Sequence, residues 1–420
     1  MTDVQKRPRR RIAIDTTPLR RHAAYRRMWF GNAFSFLGFQ VTAVAVPVEM
    51  FELTHDSFWV GLLGIASLVP LLIFALWGGA VADAVDRRRL LLVSSCVTWG
   101  STLALLLQAL AGVRSPVLLL ALVAIQSMGV AVSMPARQAI IPRLVDTEEV
   151  PAANTLNFTT GNAGAVLGPL LAGLIFAIWE PSVGLPVAYS VDAVLFTLTL
   201  WATLRLPPLP PGNGLTGART AGLRSIVDGL RYLATTPVLV LSFAIDIVAM
   251  VLAMPRALFP EVAENQFGGG AAIGWLYSAI AIGSVVGGLT SGWITHVRRQ
   301  GLALTVAVVA WGLAVAFAGL AQQLWLCVLL LAVAGCADLV SAVYRQTILQ
   351  LAAPDEMRGR MQGVFTAVVA GGPRLGDLRA GAMAAVWGTT ISWAAGGFAA
   401  AVVAVLLALL FPALIRYPQR

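Results

Sequence analysis

Charged residues are scarce in this chain. Only 12% of its 420 residues are Asp, Glu, Lys or Arg, whereas 58% are hydrophobic, and a soluble chain usually contains about 25% charged residues. So few polar side chains cannot cover the surface of a soluble protein of this length. The composition therefore excludes a soluble enzyme and indicates a protein that lies in a membrane.

Lysine, cysteine and histidine are nearly absent. The only lysine is Lys6, which excludes the lysine of a phosphate-binding loop and a lysine nucleophile or base. The three cysteines and the three histidines are far apart and show no zinc-binding or disulfide spacing. No Ser–His, paired-acid or metal-binding pattern indicates an enzyme, and we predict neither a metal site nor ATP hydrolysis by this chain.

Hydrophobic runs follow one another in two groups of six. A membrane-spanning helix needs about 20 consecutive apolar residues, and these runs have that length. The sequence therefore predicts an all-α polytopic membrane protein with twelve transmembrane helices. The runs cover residues 28–50, 58–82, 90–111, 116–136, 153–178, 186–205, 238–258, 271–295, 301–321, 324–344, 361–387 and 390–414.

The polar stretch between the two groups divides the chain into two halves. We predict a first half over 28–205 and a second half over 238–414, joined by a cytoplasmic linker over 206–237. The linker begins with a stiff proline-rich segment and continues with apolar residues at helical spacing, which is typical of an amphipathic helix on a membrane surface. A basic tail over 1–27 and a short tail over 415–420 complete the chain.

Basic residues are concentrated on one side of the predicted membrane. Most of the 29 lie in the two tails or in the loops after even-numbered helices, and the opposite loops hold only Arg114 and Arg256. Because cytoplasmic loops carry an excess of Lys and Arg, we predict a multi-pass protein of the inner membrane with both termini cytoplasmic. The basic segment 6–11 suits anionic membrane lipids, so we expect no nucleic-acid partner.

The two halves resemble each other at a constant offset of 208 residues. Arg137 closes the fourth run as Arg345 closes the tenth, and the segment 168–173 corresponds to 376–381. These landmarks indicate an internal duplication. Two pseudo-symmetric six-helix halves with a cytoplasmic linker are the organisation of a major-facilitator transporter, whose binding site lies between the halves near the middle of the membrane.

The loop after the second run resembles the cytoplasmic gate motif of that superfamily, G-x-x-x-D-x-x-G-R-R. Gly79, Asp83, Arg87 and Arg88 match the motif, whereas Asp86 replaces its second glycine. A glycine lets two helices approach closely, and the acid accepts hydrogen bonds from a partner helix. Arg137 and Arg345 end their helices on the same side, so we predict that they pair with gate acids. The acids within reach of that side are Asp83, Asp146, Glu148, Asp355 and Glu356.

The fifth run contains a second motif. Gly164, Gly168, Pro169 and Gly173 resemble the glycine–proline motif of major-facilitator antiporters, and such spacing gives a helix a smooth face for close packing. The resemblance implies export, whereas the spacing alone also suits simple helix packing. The arginine that many antiporters carry in the fourth helix is absent, and Gln126 lies in that region.

Several further segments resemble the enterobactin-exporter branch of the major facilitator superfamily. They include 45–48, 54–57, 256–260, 274–279 and 359–363, and the likeness runs from about residue 20 to the end. The resemblance implies twelve helices, no bound cofactor, and proton-coupled export of siderophores or of drugs.

Acidic residues inside the runs are functional candidates, because a charged group in lipid costs several kcal/mol. Asp246 and Asp338 lie in the seventh and tenth runs, and Glu49 and Asp192 lie nearer the outer ends of the first and sixth. A proton-coupled exporter needs a carboxyl group that binds a proton from one side and releases it to the other. The alternatives are a structural partner for a neighbouring helix in the case of Asp246, and a solvated or hydrogen-bonded helix end in the case of Glu49 and Asp192.

The eleventh run is unusual because residues 371–373, Gly-Gly-Pro, interrupt it and charges follow. Broken helices at membrane depth usually line a cavity, so we predict a break here. Arg374 and Asp377 are three residues apart and can form an ion pair, whereas Arg379 points elsewhere. Either Arg374 attracts an anionic substrate or the pair holds helices together. We expect Phe36, Gln40, Trp275 and Tyr277 to line the cavity.

Together these features predict a secondary transporter that works by alternating access. We expect a monomer that exports a small amphipathic molecule, first a siderophore of the enterobactin type, in exchange for protons. A broad multidrug:proton antiporter is the first alternative. A non-transporting membrane component is a further alternative, against which the gate motif and the membrane acids argue. The membrane half of an ATP-driven pump is another, which nucleotide-independent flux driven by a proton gradient would exclude.

Overall fold

The computed structural model describes residues 15–207, 231–297 and 299–412. Most of the basic tail and most of the linker lie outside these ranges, so the predicted amphipathic helix is described only over 231–235, which are helical. Some side chains inside the described ranges are also left out. They belong to residues 76–84, 139, 295, 355–356 and 358–360.

Six long helices form the N-terminal half. A short helix, Thr17–Arg21, precedes them, and one 3-10 turn, Thr147–Glu149, lies between the fourth and the fifth. The long helices are α1 (Ala23–Thr54), α2 (Ser57–Ala84), α3 (Arg87–Leu110), α4 (Pro116–Leu144), α5 (Val150–Ile178) and α6 (Pro181–Leu204).

Six long helices also form the C-terminal half. The 3-10 turn Arg256–Leu258 and the short helix Phe259–Phe267 follow the first of them, and the 3-10 turn Ser291–His296 follows the second. The long helices are α7 (Pro237–Ala253), α8 (Ala271–Leu289), α9 (Gln300–Leu320), α10 (Leu324–Ala352), α11 (Asp355–Trp387) and α12 (Thr389–Leu410).

Local sequence signals account for several helix boundaries. The side chain of Asp86 accepts hydrogen bonds from the first backbone N–H groups of α3, and Ser115 caps α4 in the same way. Helix α7 ends at Ala253, two residues before Pro255, because the residue before a proline disfavours the α conformation. The seventh predicted run, 238–258, is therefore one continuous helix only as far as Ala253.

The predicted break in the eleventh run is wrong. Helix α11 is continuous from Asp355 to Trp387 with Pro373 inside it. Its glycines serve close packing instead, since a Cβ on Gly372 would lie only 2.9 Å from the Cβ of Met250 in α7. A proline is tolerated in a membrane helix when neighbouring groups satisfy the freed carbonyl.

Of the twelve membrane-spanning helices that the sequence predicts, all but one have the length and the apolar composition of a membrane span. Eleven helices in the described part are long and apolar enough to cross a membrane. Helix α11 has the length, with 33 residues, but Arg374, Asp377 and Arg379 lower its apolar character. The predicted limits of tails, halves and linker stay predictions.

Helix contacts repeat from one half to the other. Helix α2 packs on α4 as α8 packs on α10, and α3 lies between α4 and α6 as α9 lies between α10 and α12. The halves meet where α2 packs on α11 and where α5 packs on α8. These two contacts decide where the space between the halves is open.

The halves are closed at one end of the bundle. We call this the distal end; it carries the turns after the odd-numbered helices, and the opposite, proximal end carries the chain termini. Near the distal end the backbones of α2 and α11 touch, because a Cβ on Gly64 would lie 2.7 Å from the carbonyl oxygen of Arg374. Toward the proximal end, Gly371 reaches only the tip of Leu68, and Gly363 has no neighbour within 4 Å. The two helices therefore diverge toward the proximal end.

Candidate functional site

A cavity of about 490 Å³ lies between the two halves. Its wall comes from α1, α2, α4 and α5 on one side and from α8, α11 and the turn after α7 on the other. We call it the central cavity. Apolar side chains form most of the wall, and the polar groups are few. They are Gln40, Thr42, Ser67, Gln126, Ser127, Arg256, Tyr277, Arg374 and Asp377.

Arg374 joins the two halves at the wall of this cavity. Its Nε donates a hydrogen bond to Ser67 Oγ of α2 at 2.9 Å, and its NH1 donates to the carbonyl of Ala370 at 2.6 Å. The predicted ion pair with Asp377 is not formed, because Asp377 accepts a hydrogen bond from the backbone N–H of Ala257 at 3.2 Å instead. Both charged groups therefore border the cavity independently.

Arg379 points away from the cavity, as predicted. Its NH1 donates to the carbonyl of Ser392 in α12 at 3.2 Å. One turn of α11 thus separates an arginine that lines the cavity from an arginine that holds the neighbouring helix.

Arg256 is a cavity residue that the sequence analysis assigned only to a loop. It lines the central cavity and is close enough to Asp377 for an electrostatic interaction. Its backbone carbonyl accepts a hydrogen bond from the Tyr277 hydroxyl at 3.2 Å. The position of Arg256 could have indicated a functional role from the sequence. It lies on the side of the membrane opposite to most basic residues, whereas Lys and Arg are normally in excess in cytoplasmic loops.

Of the four side chains that were expected to line the cavity, two line it and two do not. Gln40 and Tyr277 line it. Trp275 does not, since it is 44% exposed on the outside of the bundle. Phe36 packs on Gly164 of α5 instead, so its bulk fills the interface of two helices of one half.

The glycine–proline motif of α5 lies at close helix contacts. A Cβ on Gly164 would lie 2.6 Å from the ring of Phe36, and Gly168 packs directly on Gln40, also in α1. Gly173 meets the other half, because its Cβ would lie 2.7 Å from the Cα of Gly274 in α8. Pro169 is buried in the same helix. The motif therefore combines a contact within one half with a contact between the halves.

Arg345 has different partners from those predicted for a gate residue. It forms an ion pair with Asp246 of α7, and its NH2 lies 3.6 Å from Asp338 Oδ1 of its own helix. Arg345 and Asp246 are buried. A buried ion pair is costly to break, so this geometry favours the structural alternative for Asp246.

The proximal gate residues are described only in part. The side chains of Gly79 and Asp83 lie outside the description. Arg88 donates to the carbonyl of Leu204 at 2.7 Å, and Arg137 donates to Asn32 Oδ1 of α1 at 2.5 Å. Both contacts stay within the N-terminal half, and Arg87 also has an interaction partner. The gate function of these residues stays a prediction.

Glu49 and Asp192 are buried in the N-terminal half and are held by neutral donors. Glu49, 4% exposed, accepts hydrogen bonds from Gln108 of α3 and from Tyr189 of α6. Asp192, 1% exposed, accepts from Thr42 at 2.7 Å and from Thr102 at 3.2 Å. Both carboxyl groups are therefore hydrogen-bonded inside the protein rather than solvated, and their role in transport stays a prediction.

Glu261 connects the halves at the closed distal end, although no sequence motif indicated a function for it. It lies in the short helix Phe259–Phe267. Its carboxylate accepts a hydrogen bond from Ser57 at the start of α2 at 2.5 Å and from Thr389 at the start of α12 at 2.9 Å. The carboxylate therefore holds one helix of each half.

A group of side chains near the proximal end has the spacing of metal ligands. The ligand atoms of His22, Asp146 and Glu149 lie within 4.8 Å of one another. Arg21 pairs with Glu149 at 3.2 Å, and His22 lies 3.0 Å from the same carboxylate. These contacts hold the segment before α1 on the turn before α5. Because Arg21 already balances the acid, we assign the group no metal.

Comparison with known proteins identifies relatives along almost the whole chain. The family model described as transmembrane secretion effector matches residues 14–419. The chain is 30% identical over 413 residues to proteins named enterobactin exporter EntS, from Shigella boydii serotype 18 and from Escherichia coli O81. The matches cover 97% of this chain and 96% of each relative.

Solved structures with the same fold are transporters. The nucleoside transporter NupG gives a TM-score of 0.75 at 17% identity, covering 94% of this chain and 99% of that one. A bacterial homologue of the iron transporter ferroportin in an inward-facing state gives 0.66 at 16% identity, covering 94% and 99%. At this identity the likeness concerns the fold alone. The predicted major-facilitator fold with two pseudo-symmetric halves is confirmed.

Proposed function

The chain belongs to the transmembrane secretion effector family of major-facilitator transporters, and we propose that it exports a small amphipathic anion of the catecholate siderophore type by proton-coupled alternating access. It is a multi-pass membrane transporter and not an enzyme. We also propose an inner-membrane location with cytoplasmic termini, because arginine is concentrated in the proximal loops and tails. In this proposal the protein works as a monomer among membrane lipids, without a cofactor or a nucleic-acid partner.

The charge of the central cavity carries the proposal for the substrate. Two guanidinium groups, Arg256 and Arg374, line the cavity together with one carboxylate, Asp377. Guanidinium groups bind carboxylates and other planar oxygen anions through paired hydrogen bonds. The remaining wall is largely apolar, with Phe39 and Tyr277 among its side chains. An aromatic anion such as a catecholate matches both parts of this surface.

The arrangement of the halves supports alternating access. With the termini in the cytoplasm, closure at the distal end and divergence at the proximal end describe an inward-facing state. Transporters of this type work by rocking one half against the other around a fixed site. The contacts of α2 with α11 and of α5 with α8 are those that an outward-facing state must open.

Two transported probes test the substrate proposal. Purified protein in proteoliposomes with an imposed pH gradient should accumulate enterobactin, the molecule named in its relatives, and should not accumulate the cationic dye ethidium. Arg374→Gln and Arg256→Gln should each raise the apparent KM for enterobactin about tenfold, as expected for one charge-assisted hydrogen bond. Arg205→Gln is the control, because Arg205 lies over the ring of Trp201 at the end of α6 and not at the cavity.

Each alternative gives a different result in this assay. Accumulation of ethidium as well would indicate a multidrug antiporter. Movement that needs ATP and a second protein, but no gradient, would indicate part of an ATP-driven pump. If neither probe moves, the substrate proposal is wrong.

A further inference from the structure

We propose that a polar pathway through the N-terminal half carries the coupled proton, with Glu49 exchanging protons with the distal side and Asp192 exchanging them with the central cavity. The inference rests on the proposed proton-coupled function and names the groups that serve it.

Glu49 borders a second cavity, which we call the distal vestibule. It has a volume of about 430 Å³ and lies between the distal ends of α1, α3 and α6. Its charged lining groups are Glu49, Glu52, Arg114 and Glu180. No residue belongs to the linings of both the vestibule and the central cavity. A proton can therefore reach Glu49 from the distal side without entering the substrate cavity, even though the halves are closed there.

Asp192 is connected to the central cavity by hydrogen bonds. Thr42, which donates to Asp192 Oδ2, lines that cavity. Thr102, the second donor, accepts a hydrogen bond from Gln126 at 3.1 Å, and Gln126 also lines the cavity. Two short hydrogen-bonded routes thus join the buried carboxyl group to the space where the substrate is proposed to bind.

The Glu49 and Asp192 clusters are neighbours on the same helices. Tyr189, which donates to Glu49, is three residues before Asp192 in α6, and side chains at that spacing lie on adjacent turns of one face. Glu49 and Thr42 are seven residues apart in α1, which again gives one face. The step between Tyr189 and Asp192 has no direct hydrogen bond among the described side chains. Asp192 Oδ1 is buried without a partner, so a free acceptor remains for that step.

The hydrogen-bonding partners of these acids differ from the partners of the acids in the other half. Asp246 forms a buried ion pair with Arg345, and Asp338 lies 3.6 Å from the same guanidinium, so protonation of Asp246 would break that pair. Among the described side chains, the hydrogen-bond donors to Asp192 are threonine hydroxyls, and those to Glu49 are an amide and a phenol. A carboxyl group among neutral donors can bind or release a proton without leaving a buried cation uncompensated.

The positions that the internal duplication relates to these polar groups are not polar in the C-terminal half. At the offset of 208 residues, each member of the pathway corresponds to a small or apolar residue in the C-terminal half. Glu49, Thr42, Thr102, Gln108, Gln126, Tyr189 and Asp192 correspond to Ala257, Met250, Ala310, Ala316, Ala334, Gly397 and Ala400. Buried polar groups are costly in membrane helices, and their restriction to one half favours a function over a packing requirement.

The proton moves in two steps that conserve charge. A proton from the distal side binds the Glu49 carboxylate, and the neutral acid passes it to the Asp192 carboxylate, which leaves Glu49 ionised again. For coupling, Glu49 passes the proton to Asp192 only while the central cavity is closed to the proximal side, and Asp192 releases it into that cavity beside Thr42 after the cavity opens to the proximal side. One proton crosses for each cycle of the pathway.

Two transport modes separate proton coupling from substrate movement. In proteoliposomes with enterobactin as the probe, Glu49→Gln and Asp192→Asn should lose accumulation driven by a pH gradient. Both variants should keep exchange of enterobactin between equal concentrations, which needs no net proton movement. Tyr189→Phe should reduce driven accumulation, whereas Tyr344→Phe should not. Tyr344 is the matched control, because it lies in the C-terminal half, is also buried, and donates its hydroxyl to the carbonyl of Ile294 in that same half.

The outcomes distinguish failure of this pathway from failure of the proposed function. Driven accumulation at the wild-type rate in both acid variants would overturn the pathway. Loss of exchange as well, in variants that keep the wild-type melting temperature, would overturn it too and would place the acids in substrate binding. If the wild type itself does not exchange enterobactin, the proposed substrate is wrong.

A measurement without substrate decides the pathway in that last case. Dicyclohexylcarbodiimide reacts with protonated carboxyl groups in apolar surroundings, and mass spectrometry locates the product. We expect modification of Glu49 and Asp192 that decreases as the pH rises. Absence of modification at both positions at low pH would contradict the pathway.

Discussion

Several charged side chains of this protein lie within the membrane-spanning helices, where helix packing does not require them. Two of the arginines among them each have a hydrogen-bond or ion-pair partner of their own. Arg345 holds Asp246 of α7, whereas Arg374 donates to Ser67 of the opposite half. The first contact stabilises one half, and the second borders the space between the halves. Sequence position alone does not reveal these roles, since Asp246 and Ser67 are distant in sequence from the arginines that contact them.

The ion pair of Asp246 and Arg345 gives a prediction for stability. Asp246→Asn leaves a buried guanidinium with only Asp338 at 3.6 Å, and breaking a buried pair typically costs about 3–5 kcal/mol. We expect a lower melting temperature in detergent for this variant and a smaller decrease for Asp338→Asn. Equal melting temperatures for Asp246→Asn and wild type would contradict the assigned pair.

Pairs of helices are the elements that must separate during transport. The contact of α5 with α8 depends on Gly173 and Gly274, whose backbones approach so closely that a Cβ on either would lie under 3.0 Å from the other helix. Replacement of either glycine by alanine must therefore displace α5 or α8.

Gly274→Ala should hinder distal closure. The added methyl group forces α5 and α8 apart, so we expect slower enterobactin transport and greater accessibility of distal sites to a water-soluble thiol reagent. Gly161→Ala is the control, because a Cβ there has no neighbour within 4 Å, and alanine favours a helix over glycine by about 1 kcal/mol. Unchanged transport by Gly274→Ala would show that this close contact is not needed.

The short helix after α7 gives a second prediction at this scale. Ser57→Ala removes the hydrogen bond that joins Glu261 to the other half, whereas Thr389→Ala removes a bond within the C-terminal half. Spin labels on the distal ends of α2 and α8 should report a larger population of separated halves for Ser57→Ala only. The same shift in both variants, or in neither, would exclude a role for the Ser57 contact in closure.

At the scale of the whole molecule, most of the architecture could be predicted from the sequence. Continuous hydrophobic runs give the helices, and the repeated Arg-Gln and glycine segments give the two halves. The continuity of α11 could not be predicted, because the residues that support it around Pro373 belong to α7 and are distant in sequence. The partners of Arg345 and the contacts of Glu261 were missed for the same reason.

The candidate site was predicted only in part. Arg374, Asp377, Gln40 and Tyr277 border the central cavity as expected. The hydrogen bonds of Glu49 and Asp192 join three helices that are far apart in the sequence, so neither cluster could be recognised before the fold was known. Apolar periodicity predicts which residues face inward but not which polar groups meet there.

Coupled movement of a catecholate and a proton in opposite directions is the central claim about the molecule. The most direct measurement uses proteoliposomes that contain a pH-sensitive dye and start without a pH gradient. An imposed enterobactin gradient should drive protons the opposite way and create a pH difference, and Glu49→Gln should abolish that difference. Enterobactin movement without a pH change in the wild type, or protons that move in the same direction as enterobactin, would contradict the account.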